Sequence, residues 1–188
     1  MSGYTWVETK ASAVADSTAV SNTTTPTTII HATAKPVIAA QEIVKAGQVF
    51  RVTVTGRIST LVTSPGTLTL DFRLGSAVIF NGGAMALNVN AQTNATFKLI
   101  VHLRLVTVGS GTTATAIGTG QFISRAVIGS AAVGVGAAGA LMLPDTAPVI
   151  GTGFDSTIAQ TFDVFATWSI ASASNSILSH IAFIELVN

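Results

Sequence analysis

The residues that could support catalysis or metal binding are few, and their spacing predicts neither. The chain has three histidines, His31, His102 and His180, and all three fall in segments with strand-like alternation. None has an aspartate or glutamate at the short spacing that is typical of a metal site. Asp71 and Asp163 lie in two predicted strands, but nothing in the sequence brings them together. We therefore predict that the protein is not an enzyme and binds no metal, no cofactor and no small-molecule substrate.

A glycine-rich motif, G-x-G-x-x-G, occurs from Gly134 to Gly139. In a dinucleotide site, such glycines turn a strand into a helix whose N-terminus meets the pyrophosphate. Here only four residues follow the motif before Pro144, which is too short for that helix. The motif therefore does not predict a nucleotide site.

The same motif lies within an uncharged run, residues 126–143, whose sequence is AVIGSAAVGVGAAGALML. Its length would suffice for a membrane span. Glycine and alanine contribute little to insertion, however, and the run lies among predicted strands. We expect a tightly packed connection buried by protein, and no membrane partner.

Composition excludes several further classes of function. Charged residues make up 9% of the 188 residues and the formal net charge is +1, so nothing attracts the chain to a phosphate backbone and we expect no nucleic-acid partner. The absence of cysteine excludes a disulfide scaffold, a cysteine-ligated metal and a cysteine nucleophile.

Alternation with a period of two is the dominant pattern and predicts an all-β fold. In residues 50–58, FRVTVTGRI, apolar side chains alternate with Arg or Thr, and residues 68–74, 97–105 and 162–170 repeat the pattern. Turn residues separate about eight such segments, which predicts an eight-stranded antiparallel jelly-roll sandwich. The predicted core comprises Phe50, Val52, Val54, Leu70, Phe72, Leu99, Val101, Leu103, Val164, Trp168 and Phe183.

The N-terminal residues read as an extended arm, residues 1–26, ahead of a single jelly-roll domain, residues 27–188. Tyr4 and Trp6 are costly to leave in water, so we expect the arm to contact a second subunit or another partner, with residues 27–188 folding without it. Arg57, Arg73 and Arg104 fall on predicted outer faces, where they could meet an acidic partner. No secretory signal is expected, because no basic segment followed by an apolar one opens the chain.

Several stretches resemble small all-β virion proteins of tailed bacteriophages. They are YTW at residues 4–6, residues 21–25, GQVFRVTVTGRIS at residues 47–59, residues 69–75, and residues 167–177. The proteins that the chain resembles include jelly-roll cement, or decoration, proteins, which bind as trimers at threefold positions of the capsid. The resemblance implies a homotrimer on the capsid surface of the virion, assembled in the host cytoplasm, with the phage major capsid protein as partner.

The candidate contacts with another subunit or with the capsid are Tyr4, Trp6, Arg57, Arg73 and Arg104. Two other classes remain open from the sequence. One is a trimeric tail fibre or receptor-binding tip, although the aromatic side chains that a sugar site needs are few and mostly inward. The other is the shell protein of a small virus, although residues 1–28 lack a basic arm and contain Lys10 alone as a cation.

Overall fold

The computed structural model describes residues 6–130, 134–135 and 139–187. Within these ranges the chain forms fourteen β-strands and one short 3-10 turn, Ala32–Ala34. The strands are β1 (Val7–Ser12), β2 (Val20–Ser21), β3 (Thr27–Thr28), β4 (Val37–Ile38), β5 (Val49–Thr60), β6 (Thr67–Leu74), β7 (Ala77–Leu87), β8 (Gln92–Thr107), β9 (Thr115–Ser124), β10 (Val127–Ser130), β11 (Gly134–Val135), β12 (Gly139–Leu143), β13 (Gln160–Trp168) and β14 (Ser176–Val187).

The strands form two seven-stranded antiparallel sheets. Sheet A has the order β1-β14-β5-β8-β9-β12, and β2 also pairs with β14. Sheet B has the order β11-β10-β7-β6-β13-β3, and β4 also pairs with β13. The all-β sandwich predicted from the sequence is therefore confirmed. The count of eight strands and the jelly-roll connectivity are not confirmed.

The long strands form where alternation is strongest. In β5, Phe50, Val52, Val54 and Ile58 are fully buried, while the residues between them lie toward solvent. At the inward position 56 the residue is glycine because β14 approaches closely there. A Cβ at this position would lie 2.0 Å from the carbonyl oxygen of Leu178.

One apolar core joins the two sheets. Ten of the eleven predicted core residues are buried in it. Phe183 is the exception, and the prediction was wrong for this residue. A bulge between Ser179 and Ile181 shifts the alternation of β14. Ala182 and Ile184 then face the core, and Phe183 lies opposite the outward Thr53.

The segment predicted to be an arm lies on its own sheet wherever it is described. β1 pairs with β14 from Val7 opposite Val187 to Ser12 opposite Phe183. Farther along, Trp168 donates its indole N–H to the carbonyl oxygen of Val20 at 3.1 Å. Val20 is 2% exposed, so this part of the chain contributes to the core.

The glycine-rich run, residues 126–143, crosses from one sheet to the other. β10 pairs with β7 of sheet B, and β12 pairs with β9 of sheet A. Ala126, Val127 and Leu143 at its ends are buried. Gly139 begins a strand, not the helix that a dinucleotide site would need. Residues 131–133 and 136–138 lie outside the described ranges. No helix in the described part of the chain is long and apolar enough to cross a membrane.

Candidate interaction surface

The outer face of sheet A is a broad surface formed by the outward positions of β14, β5, β8, β9 and β12. The strand register places side chains in rows across it. One row runs Phe183, Thr53, Ile100, Gln121 and Met142, and the next runs Ile181, Thr55, Lys98, Ile123 and Ala140. Apolar and polar side chains alternate along the first row, whereas in the second the polar Thr55 and Lys98 lie side by side between apolar residues.

Large apolar side chains on this face lie open to solvent. Ile181 is 52% exposed, Met142 53% and Ile123 39%. Phe183 and Ile100, between them, are half-buried. Single exposed apolar residues are ordinary on a protein surface. Here five large apolar side chains share two adjacent rows of one sheet face, which makes this face a candidate interaction surface.

One ion pair joins β5 and β14 on this face, at the end where Val7 pairs with Val187. The Arg51 guanidinium donates a hydrogen bond from Nε to Glu185 Oε2 at 2.6 Å. This hydrogen bond lowers the pKa of Glu185 below its ordinary value. Burial acts in the opposite direction and raises the pKa, while the positive charge of Arg51 lowers it further. Glu185 is therefore ionised at neutral pH and its charge is balanced.

Two of the predicted contact residues, Arg57 and Arg104, lie exposed on the outer face of sheet A. Arg57 lies opposite Thr96, and Arg104 lies between Val49 and Ile117. Among the described residues neither has a carboxylate within ion-pair distance. Both guanidinium groups are therefore available to a partner.

Arg73 lies on the other sheet and has internal partners. Its guanidinium forms two hydrogen bonds with the Asp71 carboxylate, at 2.7 and 2.9 Å. It also lies 4.1 Å above the centre of the Phe165 ring. A contact between Arg73 and a partner would have to compete with both interactions. Arg73 is therefore not available to a partner in the way that Arg57 and Arg104 are.

The two aspartates that the sequence left unplaced each have a cation of their own. Asp71 binds Arg73, and Asp163 binds Lys35 at 2.9 Å and accepts a hydrogen bond from the Thr28 hydroxyl at 2.6 Å. The register of β6 and β13 sets Asp163 directly opposite Arg73, so the two carboxylates lie on either side of that guanidinium and both raise its pKa. In the described part of the chain, no three His, Asp or Glu side chains lie together as metal ligands would.

One of the two predicted aromatic contacts, Trp6, lies at the edge of sheet A. Trp6 is 49% exposed and directly precedes β1, the edge strand of the sheet. Tyr4 lies outside the described residues. The structure thus brings Trp6 to the edge of the sheet whose outer face carries Arg57 and Arg104.

Two further cations at this surface were not chosen from the sequence. Lys98 lies next to Ile123 across the β8–β9 pair, and Arg125 follows β9 directly. Lys98 and Arg104 both occupy outward positions in the alternation of β8. The sequence pattern that selected Arg104 could therefore have selected Lys98 as well. Arg125 could be found only by continuing the outward alternation of β9 into the turn.

Comparison with known proteins gives one distant structural likeness. No protein-family model matches the chain, and no curated protein matches it. A solved structure, the CBM2 module of the evolved Dit of Lactobacillus casei BL23 phage J-1, is similar with a TM-score of 0.29 and 14% sequence identity. The likeness covers 82% of this chain and 68% of that one.

Proposed function

We propose that this chain is a structural protein of a bacteriophage virion, a cement protein that binds the outside of the capsid as a homotrimer. The observation that carries the proposal is the open outer face of sheet A, with Ile181, Ile123 and Met142 exposed along two adjacent rows. The resemblance of the sequence to small all-β virion proteins supplies the class of partner.

The chemistry of this face suits docking on a protein lattice. Threonine and aliphatic side chains are removed from water at little cost, whereas each buried charge must find a partner. Apolar contacts supply the affinity, and the few cations, Arg57 and Arg104 among them, orient the contact.

The free edge of β1 is the proposed site of contact between subunits. An edge strand offers unpaired backbone N–H and C=O groups to a neighbouring chain. Trp6 and Val7, which are 49% and 52% exposed, would add apolar area to that contact. In a trimer, each subunit would present this edge to the next around the threefold axis.

Such a protein stabilises a capsid by mass action. Binding to the assembled shell, and not to free capsid subunits, lowers the free energy of the shell alone. Many copies on one particle, each held by three linked subunits, remain bound even when a single contact is weak.

The proposal is tested by sedimentation of the purified chain with capsids of the phage that encodes it. We expect the natural protein to co-sediment with capsids and the Ile181→Glu variant to remain in the supernatant. The substitution places a charge among the exposed apolar side chains of sheet A. Ile158→Glu is the matched control, since Ile158 is 54% exposed but lies outside sheet A. Light scattering should give three times the chain mass of 19.1 kDa.

The outcomes of this test separate the alternatives. Binding to isolated tails and not to capsids would replace the capsid role with that of a tail fibre or receptor-binding tip. Binding to neither particle, or equal binding of both variants, would contradict docking through sheet A. A monomer in light scattering would remove the trimer from the proposal.

A further inference from the structure

A groove lies at the end of sheet A away from the chain termini, between β8 and the turn after β9. It has a volume of about 530 Å³. Its polar and charged lining comes from Asn94, Thr96, Lys98, Ser124 and Arg125, and we call it the cationic groove. Arg57 lies beside it, because the register of β5 and β8 sets Arg57 directly opposite Thr96.

No carboxylate in the described part of the chain forms an ion pair with the cations of this groove. Of the nine Lys and Arg side chains, four form ion pairs in the described part of the chain, namely Lys10, Lys35, Arg51 and Arg73. Three of the remaining five are Arg57, Lys98 and Arg125, all at this end of sheet A. Arg104 is at the other end of the same face, and Lys45 lies in the loop before β5.

Among the described residues, no carboxylate lines the cationic groove. Glu185 is the one outward carboxylate on the described strands of sheet A, and it lies at the opposite end, bound to Arg51. The described connections at this end, residues 61–66, 88–91 and 169–175, contain no Asp or Glu. Asp16, which binds His180 of β14 at 2.8 Å, is separated from the groove by β5, so among the described residues the charged lining of the groove is positive alone.

We propose that the cationic groove binds carboxylate groups on the surface of a protein partner. The inference deepens the proposed function and rests on it, because it assigns to the docking face a charge anchor that fixes the orientation of the partner. A carboxylate that enters the groove meets Lys98 and Arg125 and receives hydrogen bonds of the strong, charge-assisted kind. The hydroxyl group of Thr96 and the amide group of Asn94, both exposed, can satisfy the remaining oxygen atoms.

The neighbouring side chains favour a protein over a nucleic acid. Ile123 lines the groove and is 39% exposed, so an occupant must cover apolar surface as well as supply negative charge. Phe97 is the one aromatic residue in the lining, and at 1% exposed it cannot stack on a base. Three cations also make a small footprint for a phosphate backbone.

The anchor is tested with a short fluorescent peptide in which glutamate alternates with valine, and with the same peptide carrying glutamine for glutamate. Fluorescence anisotropy of the full chain should show binding of the glutamate peptide alone. The Lys98→Gln/Arg125→Gln variant should bind at least about tenfold more weakly, which corresponds to about 1.4 kcal/mol. Lys45→Gln is the matched control, because Lys45 is exposed and unpaired at the other end of the molecule, and it should bind as the natural chain does.

Salt should weaken the complex, since the binding depends on exposed charges. We expect the affinity to fall between about 50 and 200 mM NaCl, where screening of surface charges becomes strong. Equal binding of both peptides, or equal affinity of the double variant and the natural chain, would overturn the anchor. Tighter binding of oligothymidylate than of the glutamate peptide would overturn it in favour of a nucleic-acid site.

The peptide assay contains no virion component, which keeps the two proposals separable. A negative result there removes the charge anchor and leaves the docking of sheet A on capsids to its own test. Failure of the natural chain to bind particles removes the proposed function, whatever the peptide result.

Discussion

The ring of Phe50 in sheet A stacks on the ring of Phe162 in sheet B, with centroids 5.5 Å apart and planes inclined by 30°. Both side chains are fully buried, so this contact joins the two sheets across the core. Stacked aromatic pairs add about 0.5–1.5 kcal/mol beyond the area that they bury.

Replacement of Phe162 by alanine should therefore be strongly destabilising. We expect a loss of about 3–5 kcal/mol in the free energy of unfolding, the usual cost of removing a buried phenylalanine. Urea unfolding followed by tryptophan fluorescence measures it, with Ile181→Ala as the exposed control. A loss under about 1 kcal/mol, which is typical of surface positions, would show that the two sheets are not held together here.

Deletion of residues 1–21 should destabilise the sandwich instead of leaving it intact. The deletion removes β1 and β2 from β14 and leaves the indole N–H of Trp168 without its acceptor, the Val20 carbonyl. Burial of Val20 alone contributes about 1.5–3 kcal/mol. We expect a lower midpoint in thermal unfolding.

Val14→Ala is the control for this deletion, because Val14 is 77% exposed within the same segment. A truncated chain that unfolds at the natural midpoint would restore the sequence-based interpretation of a dispensable arm.

The ion pair between Arg51 and Glu185 should make stability fall in acid. The pKa of Glu185 is below its ordinary value of 4.5 in the folded chain, chiefly because Arg51 donates a hydrogen bond to the carboxylate. The unfolded chain thus takes up the proton first, so the stabilisation is full at neutral pH and is lost as the pH falls through the folded pKa.

Glu185→Gln should therefore be less stable than the natural chain at pH 7 by up to about 1 kcal/mol, since Arg51 is partly exposed. The two proteins should converge in acid. Unfolding midpoints measured across the acid range give the comparison, and a constant difference at every pH would exclude this carboxylate as the cause.

Gly151 should tolerate no side chain. A Cβ at this position would lie 2.0 Å from the carbonyl oxygen of Ile79, a backbone atom that cannot move aside. The Gly151 amide also donates to the Ala116 carbonyl at 2.9 Å, which ties the segment after Pro144 to β9. We expect Gly151→Ala to cost about 1–3 kcal/mol by overpacking.

The control for this substitution is Ala147→Ser, at an exposed position in the same segment, which should unfold as the natural chain does. Equal stability of Gly151→Ala and the natural chain would mean that this segment is not packed against β7.

Alternation along the chain was sufficient to predict the all-β class and most of the core. Alternation is a local property of the chain, and a strand that buries one face must repeat its apolar residues every second position. For this reason residues such as Val52, Leu70 and Trp168 could be placed in the core without knowledge of their partners.

Features that depend on residues far apart in the sequence became visible in the folded chain alone. Phe183 faces outward because of a bulge where β14 meets β5, and the sequence does not reveal this shift because both faces of β14 carry apolar residues. The N-terminal residues pair with β14 near the other end of the chain, a pairing that local composition does not encode.

For the charged residues, too, the sequence predicted the face of the sheet but not the partners of each side chain. Arg57, Arg73 and Arg104 have equivalent outward positions in the sequence, yet Arg73 is bound to Asp71 and lies over Phe165, whereas Arg57 and Arg104 remain open on sheet A. Periodicity assigns a side chain to a face. Whether that side chain is free depends on which strands become neighbours, because ion pairs and ring contacts form across the sheet between residues far apart in the chain.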